Sequence, residues 1–184
     1  MVTRRIALLR GINVGGNKKV PMVELRELAA ELGWQQVETW IQSGNVVFAA
    51  AGRPAALEKD LEQAIERHFG FQVPVVVRTS EAWSDCAASK VFAAAKAERP
   101  AAVHLGFAKQ RCAAGAAKAL QPYCTQGERV EIDGDAVWID FKAGVARSKV
   151  TSAVLDRVIG STVTLRNWKT VLELAALVRA ARGA

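Results

Sequence analysis

The sequence lacks what several large protein classes need. No apolar run approaches the roughly 20 residues of a membrane span; charge or glycine interrupts each one. Cysteine is scarce. Cys86, Cys112 and Cys124 are odd in number and widely spaced, with no C-x-x-C pair or Cys/His cluster, which argues against a disulfide framework and for reduced thiols. The two histidines, His68 and His104, stand far apart, so ligand spacing suggests no metal site and no cofactor is implied. There is no G-x-S-x-G elbow. Asp133 and Asp135 flank Gly134, where turn chemistry already accounts for them. The opening Met1-Val2-Thr3-Arg4-Arg5 runs directly into a strand-like segment. Without an apolar leader the expectation is a cytoplasmic protein with no membrane partner.

What is present describes a packed globular chain. Apolar residues make up 51% and charged residues 23% of 184, values that argue against disorder. The net charge of +7 biases the chain toward anionic small molecules or nucleic acid. The positive residues form no tail, however. Many share helical faces with acids, as in Glu24, Arg26 and Glu27, and such mixed faces are usually solvated.

Periodicity gives the element order. Arg5 to Arg10 reads as a buried strand entering the glycine-rich loop Gly11 to Lys19, and Pro21 then stands where proline favours the first turn of a helix, which carries Met22, Leu25, Leu28, Ala29 and Leu32 and stops at Gly33. Val37 to Ile41 and Val46 to Phe48 form a hairpin about Ser43-Gly44-Asn45. A second amphipathic helix ends at Gly70, and Val73 to Val77 is a further strand. The resulting β-α-β-β-α-β order predicts an α+β fold, ferredoxin-like over residues 1–98. Residues 99–184 form a second, smaller α+β half. Within it Ala102 to Phe107 is a strand, Asp133-Gly134-Asp135 turns a hairpin, Ser148 caps a helix with Val154 and Leu155, and Asn167 caps the last helix.

Three segments carry a family resemblance: Leu8-Leu-Arg-Gly-Ile-Asn-Val-Gly-Gly-Asn-Lys-Lys-Val-Pro-Met22, then Ile41-Gln-Ser-Gly-Asn-Val-Val-Phe48, and Arg147-Ser-Lys149 with Leu165-Arg-Asn-Trp-Lys-Thr-Val171. Together they resemble the bacterial family catalogued as domain of unknown function 1697. The resemblance implies a ferredoxin-like N-terminal half with a related α+β remainder, and it supplies no activity. The family usually shows Thr before its Arg-Asn-Trp segment; here Leu165 stands there, with Thr164 before it.

The Gly11 to Lys19 loop differs from a Walker P-loop. Gly11 and Gly16 have the spacing, but Asn17 replaces the lysine and no Ser or Thr follows Lys18. Such a loop can still offer backbone N–H groups and Lys18 to an anion, although glycine at positive φ explains it equally well. Arg147-Ser148-Lys149 and Arg166-Asn167 place cations at two further expected helix starts, where the helix dipole disfavours them unless an anion lies between. The sequence therefore suggests one anion site built from Arg10, Asn13, Lys18, Ser43, Asn45, Arg147, Lys149, Arg166 and Asn167. Trp34, Trp40, Trp83, Trp138 and Trp168 lie in apolar patterns and read as core rather than base-stacking residues, and no RNP1-like strand is present. Three functions fit: binding of a phosphate-bearing or other anionic ligand, an enzyme acting on a small phosphorylated or carboxylated metabolite, or a protein-interaction module.

Overall fold

A computed structural model describes residues 2–180. The chain divides into two compact units, residues 1–85 with 174–184, and residues 86–173.

In the first unit, β1 (Thr3–Leu9) leads into α1 (Met22–Glu31), then β2 (Gln35–Trp40), β3 (Asn45–Ala50), α2 (Pro54–Phe69) and β4 (Val75–Thr79). The strands form one antiparallel sheet in the order β2-β3-β1-β4. Alternation along the strands builds the core. Ala7, Leu9, Val46, Phe48, Val75 and Val77 face Leu25, Leu28, Leu57, Leu61 and Ile65 of the two helices, with Trp34 stacked on Phe48 at 3.7 Å between ring centroids. The reverse face, with Ile6, Leu8, Val47 and Val76, is buried too, which is why these strands read as continuous apolar runs. α2 stops at Gly70, whose left-handed φ of 76° ends the helix as glycine does best.

The second unit repeats this connectivity. Following α3 (Ser80–Ala88) and α4 (Ala93–Glu98), it runs β5 (Val103–Ala108), α5 (Ala116–Leu120), β6 (Arg129–Asp133), β7 (Ala136–Asp140), α6 (Ser152–Ile159) and β8 (Val163–Asn167) before α7 (Trp168–Ala180). Its sheet order is β6-β7-β5-β8, the same second-third-first-fourth arrangement as the first sheet. The hairpin about Gly134 is present, and both sheets belong to one α+β architecture with seven α-helices among the described residues. Val137, Ile139 and Phe141 pack with Leu120 of α5 and Leu155 and Ile159 of α6.

Two local expectations are corrected. The cap of α6 is Thr151, whose hydroxyl accepts from the Val154 N–H at 3.3 Å; Ser148 is turned elsewhere. Pro21 stands just ahead of α1, as its N-cap, rather than in its first turn. Asn167 does cap α7, accepting from the Thr170 N–H at 3.0 Å.

Candidate functional site

In the first unit, β1 and β2 end where β3 and β4 begin, because each neighbouring pair is antiparallel. That end of the sheet gathers Arg10, Asn13, Lys18, Ser43 and Asn45. The β1–α1 loop there is held in a conformation few residues accept. Gly11, Gly15 and Gly16 have positive φ, and so do Asn13 (55°) and Lys18 (47°). Asn13 is among the residue types that tolerate this region, and its side chain fixes the loop. Its Nδ2 donates to the Val20 carbonyl at 3.0 Å and the Gln42 carbonyl at 2.8 Å, while its Oδ1 accepts from the Val20 N–H at 2.9 Å. The loop then packs on the β2–β3 turn at Gly44, where a Cβ would lie 2.7 Å from both Ile12 Cδ1 and Leu9 Cβ.

Asn45 is fully buried and donates from Nδ2 to the Trp40 carbonyl and to Ser43 Oγ. Asn13, Ser43 and Asn45 therefore brace the turn from inside. The cations are displayed instead: Lys18 and Lys19 are exposed and Arg10 is half-buried. Lys18 is also aimed, its Nζ donating to the Gln72 carbonyl at 2.8 Å. Residues 10–23, 40–46 and 70–75, which make up this end, contain no Asp or Glu.

The second unit gathers the other four residues at one end of its sheet. β7 and β8 both run antiparallel to β5 and so both finish where β5 begins. The segment after β7 carries Arg147 and Lys149, and β8 ends with Arg166 and Asn167. Ser148 is the anchor between the two exposed cations. Its hydroxyl donates to Glu128 Oε1 and accepts from the Val150 N–H at 3.0 Å. Burial alone would push the Glu128 carboxyl up, but the Ser148 hydroxyl and the Gln126 N–H hold it below its ordinary value.

Arg166 is not displayed in the same way. It is half-buried on the sheet face that also carries Leu105 and Trp138, donates to the Leu165 carbonyl at 2.9 Å, and is pushed down to about 10 by desolvation. Asn167 spends its Oδ1 on the α7 cap. On that same face Thr164 is buried with its hydroxyl lacking a hydrogen-bond partner. Leu165 points to the opposite, helix-packed face, and its Cδ2 would lie 2.5 Å from a Cβ at Gly106.

That face holds charged residues the sequence reading missed. Asp140, with no exposed surface, accepts from Arg99 (Nη2 to Oδ2 2.7 Å, Nε to Oδ1 3.4 Å) and from Arg129 (Nη2 to Oδ2 2.8 Å). Lys96 lies over the Trp138 ring of this face, its Nζ 4.2 Å from that ring centroid and 3.9 Å from that of Trp168, donating to the Ser89 carbonyl at 2.8 Å. Burial pushes the Lys96 ammonium down to about 8. The three cations stand 11 to 44 positions from Asp140 in the chain, beyond any local pattern. One signal was available: Asp140 follows Ala136 and Trp138 at the alternate, inward positions of β7.

His68 pairs with Glu24 at 2.8 Å, while burial lowers the affinity of His104 for a proton. Among the described residues, no group of three or more His, Cys, Asp and Glu could hold a metal ion. No described helix is long and apolar enough to cross a membrane.

Comparison with known proteins adds a family and a fold. The family model described as "Protein of unknown function (DUF1697)" matches residues 2–138, a range that includes the first two resembling segments and stops short of the third. No curated protein matches. The chain is similar to a solved structure titled as the conserved bacterial protein SP0830 from Streptococcus pneumoniae, with 22% identity over 97% of this chain and 99% of that one and a TM-score of 0.68. That likeness concerns the fold.

Proposed function

Since the chain belongs to the family described as protein of unknown function DUF1697, we propose from its own chemistry that it binds a phosphate-bearing or otherwise anionic ligand through its basic and glycine-rich loops. One observation carries this reading. In both units, neutral polar residues of the motif segments (Asn13, Ser43 and Asn45 in the first, Ser148 in the second) spend their side chains on bracing hydrogen bonds, and most of the cations stand outward. Asn13 fixes the β1–α1 loop that carries Lys18 and Lys19 onto the β2–β3 turn, which Asn45 and Ser43 brace in their turn. Ser148 fixes the segment that displays Arg147 and Lys149.

Bracing lowers the entropy lost when a loop closes on a ligand. The cations also neighbour one another in sequence, Lys18 with Lys19 and Arg147 with Lys149, and an anion relieves repulsion between such like charges. The segment 141–151 contributes Lys142, Arg147 and Lys149 without a single carboxylate. The two acids near it are already engaged, Asp140 by Arg99 and Arg129, and Glu128 by Ser148.

The test is a titration of the whole chain with a fluorescent ATP analogue and with labelled oligonucleotides at several salt concentrations. Binding that weakens steeply with salt, and weakens further in Lys18→Ala/Lys19→Ala or Arg147→Ala/Lys149→Ala, supports the reading. No binding of any of these probes at low salt would overturn it.

A further inference from the structure

At the loop end of the first unit, the exposed cations are accompanied by exposed apolar residues. Val14 at the tip of the β1–α1 loop is 70% exposed, and Ile41 at the β2–β3 turn is 52% exposed. They sit one position from either end of a single hydrogen bond, from Asn13 Nδ2 to the Gln42 carbonyl, so the fold sets the two tips side by side. Ile41 is also held at φ 49°, a left-handed conformation that β-branched residues rarely take. Glycine or asparagine would suit the backbone there better. A strained, exposed isoleucine at the same end of the sheet as the exposed Lys18 and Lys19 points to a use for its side chain outside the fold.

A partner for this surface must offer spaced negative charges and flat apolar faces together. Inorganic phosphate has no apolar face. A duplex shows its phosphates and keeps its bases stacked. A single strand exposes both, with an unstacked base beside each phosphate. Resting on the anion-binding reading of the same loops, we infer that this end of the first sheet docks single-stranded nucleic acid, with Arg10, Lys18 and Lys19 on phosphates and Val14 and Ile41 against bases.

An anionic membrane surface shares part of this chemistry, but it fits less well. Interfacial anchoring relies on large apolar side chains over a broad face, and this surface offers two small aliphatic ones. Lipid headgroups also need no fixed cation geometry, whereas the Gln72 carbonyl aims the Lys18 ammonium.

The experiment measures binding of the whole chain to a labelled mixed-sequence single strand, the matching duplex and phosphatidylserine vesicles, for the natural protein, Ile41→Gly, Val14→Ser/Ile41→Gly and Lys18→Ala/Lys19→Ala. Expected is a single-strand preference that falls at least about fivefold in the Ile41 variants while duplex binding and the salt slope stay unchanged. Ile41→Gly removes backbone strain, so its thermal midpoint should not fall, which separates lost contact from lost fold. The lysine variant should reduce the salt slope by about 0.7 per removed phosphate contact. Equal binding of single strand and duplex, both indifferent to Ile41→Gly, would overturn the single-strand inference and leave the anion reading standing. Vesicle binding without oligonucleotide binding would overturn it in favour of a membrane. Loss of all binding at low salt would remove both readings together.

Discussion

Replacing Asp140 by Asn tests whether the charged face of the second sheet is held by one carboxylate. The substitution preserves shape and removes the charge that two guanidinium groups share. Breaking one partner of a fully buried ion pair costs about 3–5 kcal/mol. Here the carboxylate has no exposure, but the side chains of Arg99 and Arg129 are 32% and 55% exposed and can turn toward water. The expected loss is therefore smaller, about 2–3 kcal/mol, read as a lower urea midpoint at unchanged m-value with tryptophan fluorescence as the probe. The pH dependence provides a second, independent reading. Burial alone would raise the Asp140 pKa, but the hydrogen bonds and charges of Arg99 and Arg129 overcome it and hold the group below its ordinary value. A depressed carboxyl stabilises the fold above its unfolded value and loses that contribution as pH falls through the folded one. The gap between the natural protein and Asp140→Asn should thus be constant from pH 5 to 7 and close below about pH 4. A gap under 0.5 kcal/mol at pH 7, or one that persists unchanged at the acid end, would refute the assignment.

Two further perturbations have defined outcomes. Asn13→Ala removes three loop hydrogen bonds and should cost about 2 kcal/mol; faster amide exchange at Val20 is the direct readout, and unchanged protection there would contradict the bracing role. Lys96, lowered from 10.5 to about 8 by burial, binds fewer protons folded than unfolded across that window. Stability should therefore rise from pH 8 to 10.5 by up to about 1 kcal/mol per unit, less the attraction of the Trp138 and Trp168 rings for the charged form. Lys96→Met should flatten this limb, and an identical slope in the variant would exclude Lys96 as its source.

The first sheet was legible because its signals are local and agree. Alternating apolar residues, helical spacing about Leu25 and Leu61, and stops at Gly33 and Gly70 each mark an element that is present. The second sheet was legible in part, through the strand at Ala102 to Phe107 and the hairpin about Gly134. β8 is five residues long and mixes Thr164 and Arg166 with apolar neighbours. It shows no period over enough positions to be told from a loop. Ser148 and Thr151 are both competent caps, and only the buried Glu128 carboxylate shows why the first is drawn away and the second caps α6. For the same reason spacing identified the residue types of the candidate site but not their direction. Asn13, Ser43 and Asn45 turn inward to backbone and to each other, a distinction set by φ and by partners up to 29 positions distant.

The repeated connectivity does not repeat the placement of the motif residues. In the first unit they cluster where the first strand ends, beside the second-to-third-strand turn. The matching end of the second unit consists of the loop after Ala108 and the turn at Gly134, tied by a hydrogen bond from the Cys112 N–H to the Gly134 carbonyl at 3.1 Å. Arg147, Lys149, Arg166 and Asn167 lie at the other end of that sheet, where its first strand begins. The two ends also differ electrostatically. The stretches that build the first contain no acid, whereas the second encloses Asp140 between two arginines. A shared fold therefore gives no warrant for treating the two clusters as copies of one site. Charge removal at Lys18 and Lys19 should change ligand binding with little effect on stability. At Asp140 it should change stability first, because there the ion pairs hold the sheet face on which Arg166 and Trp138 stand.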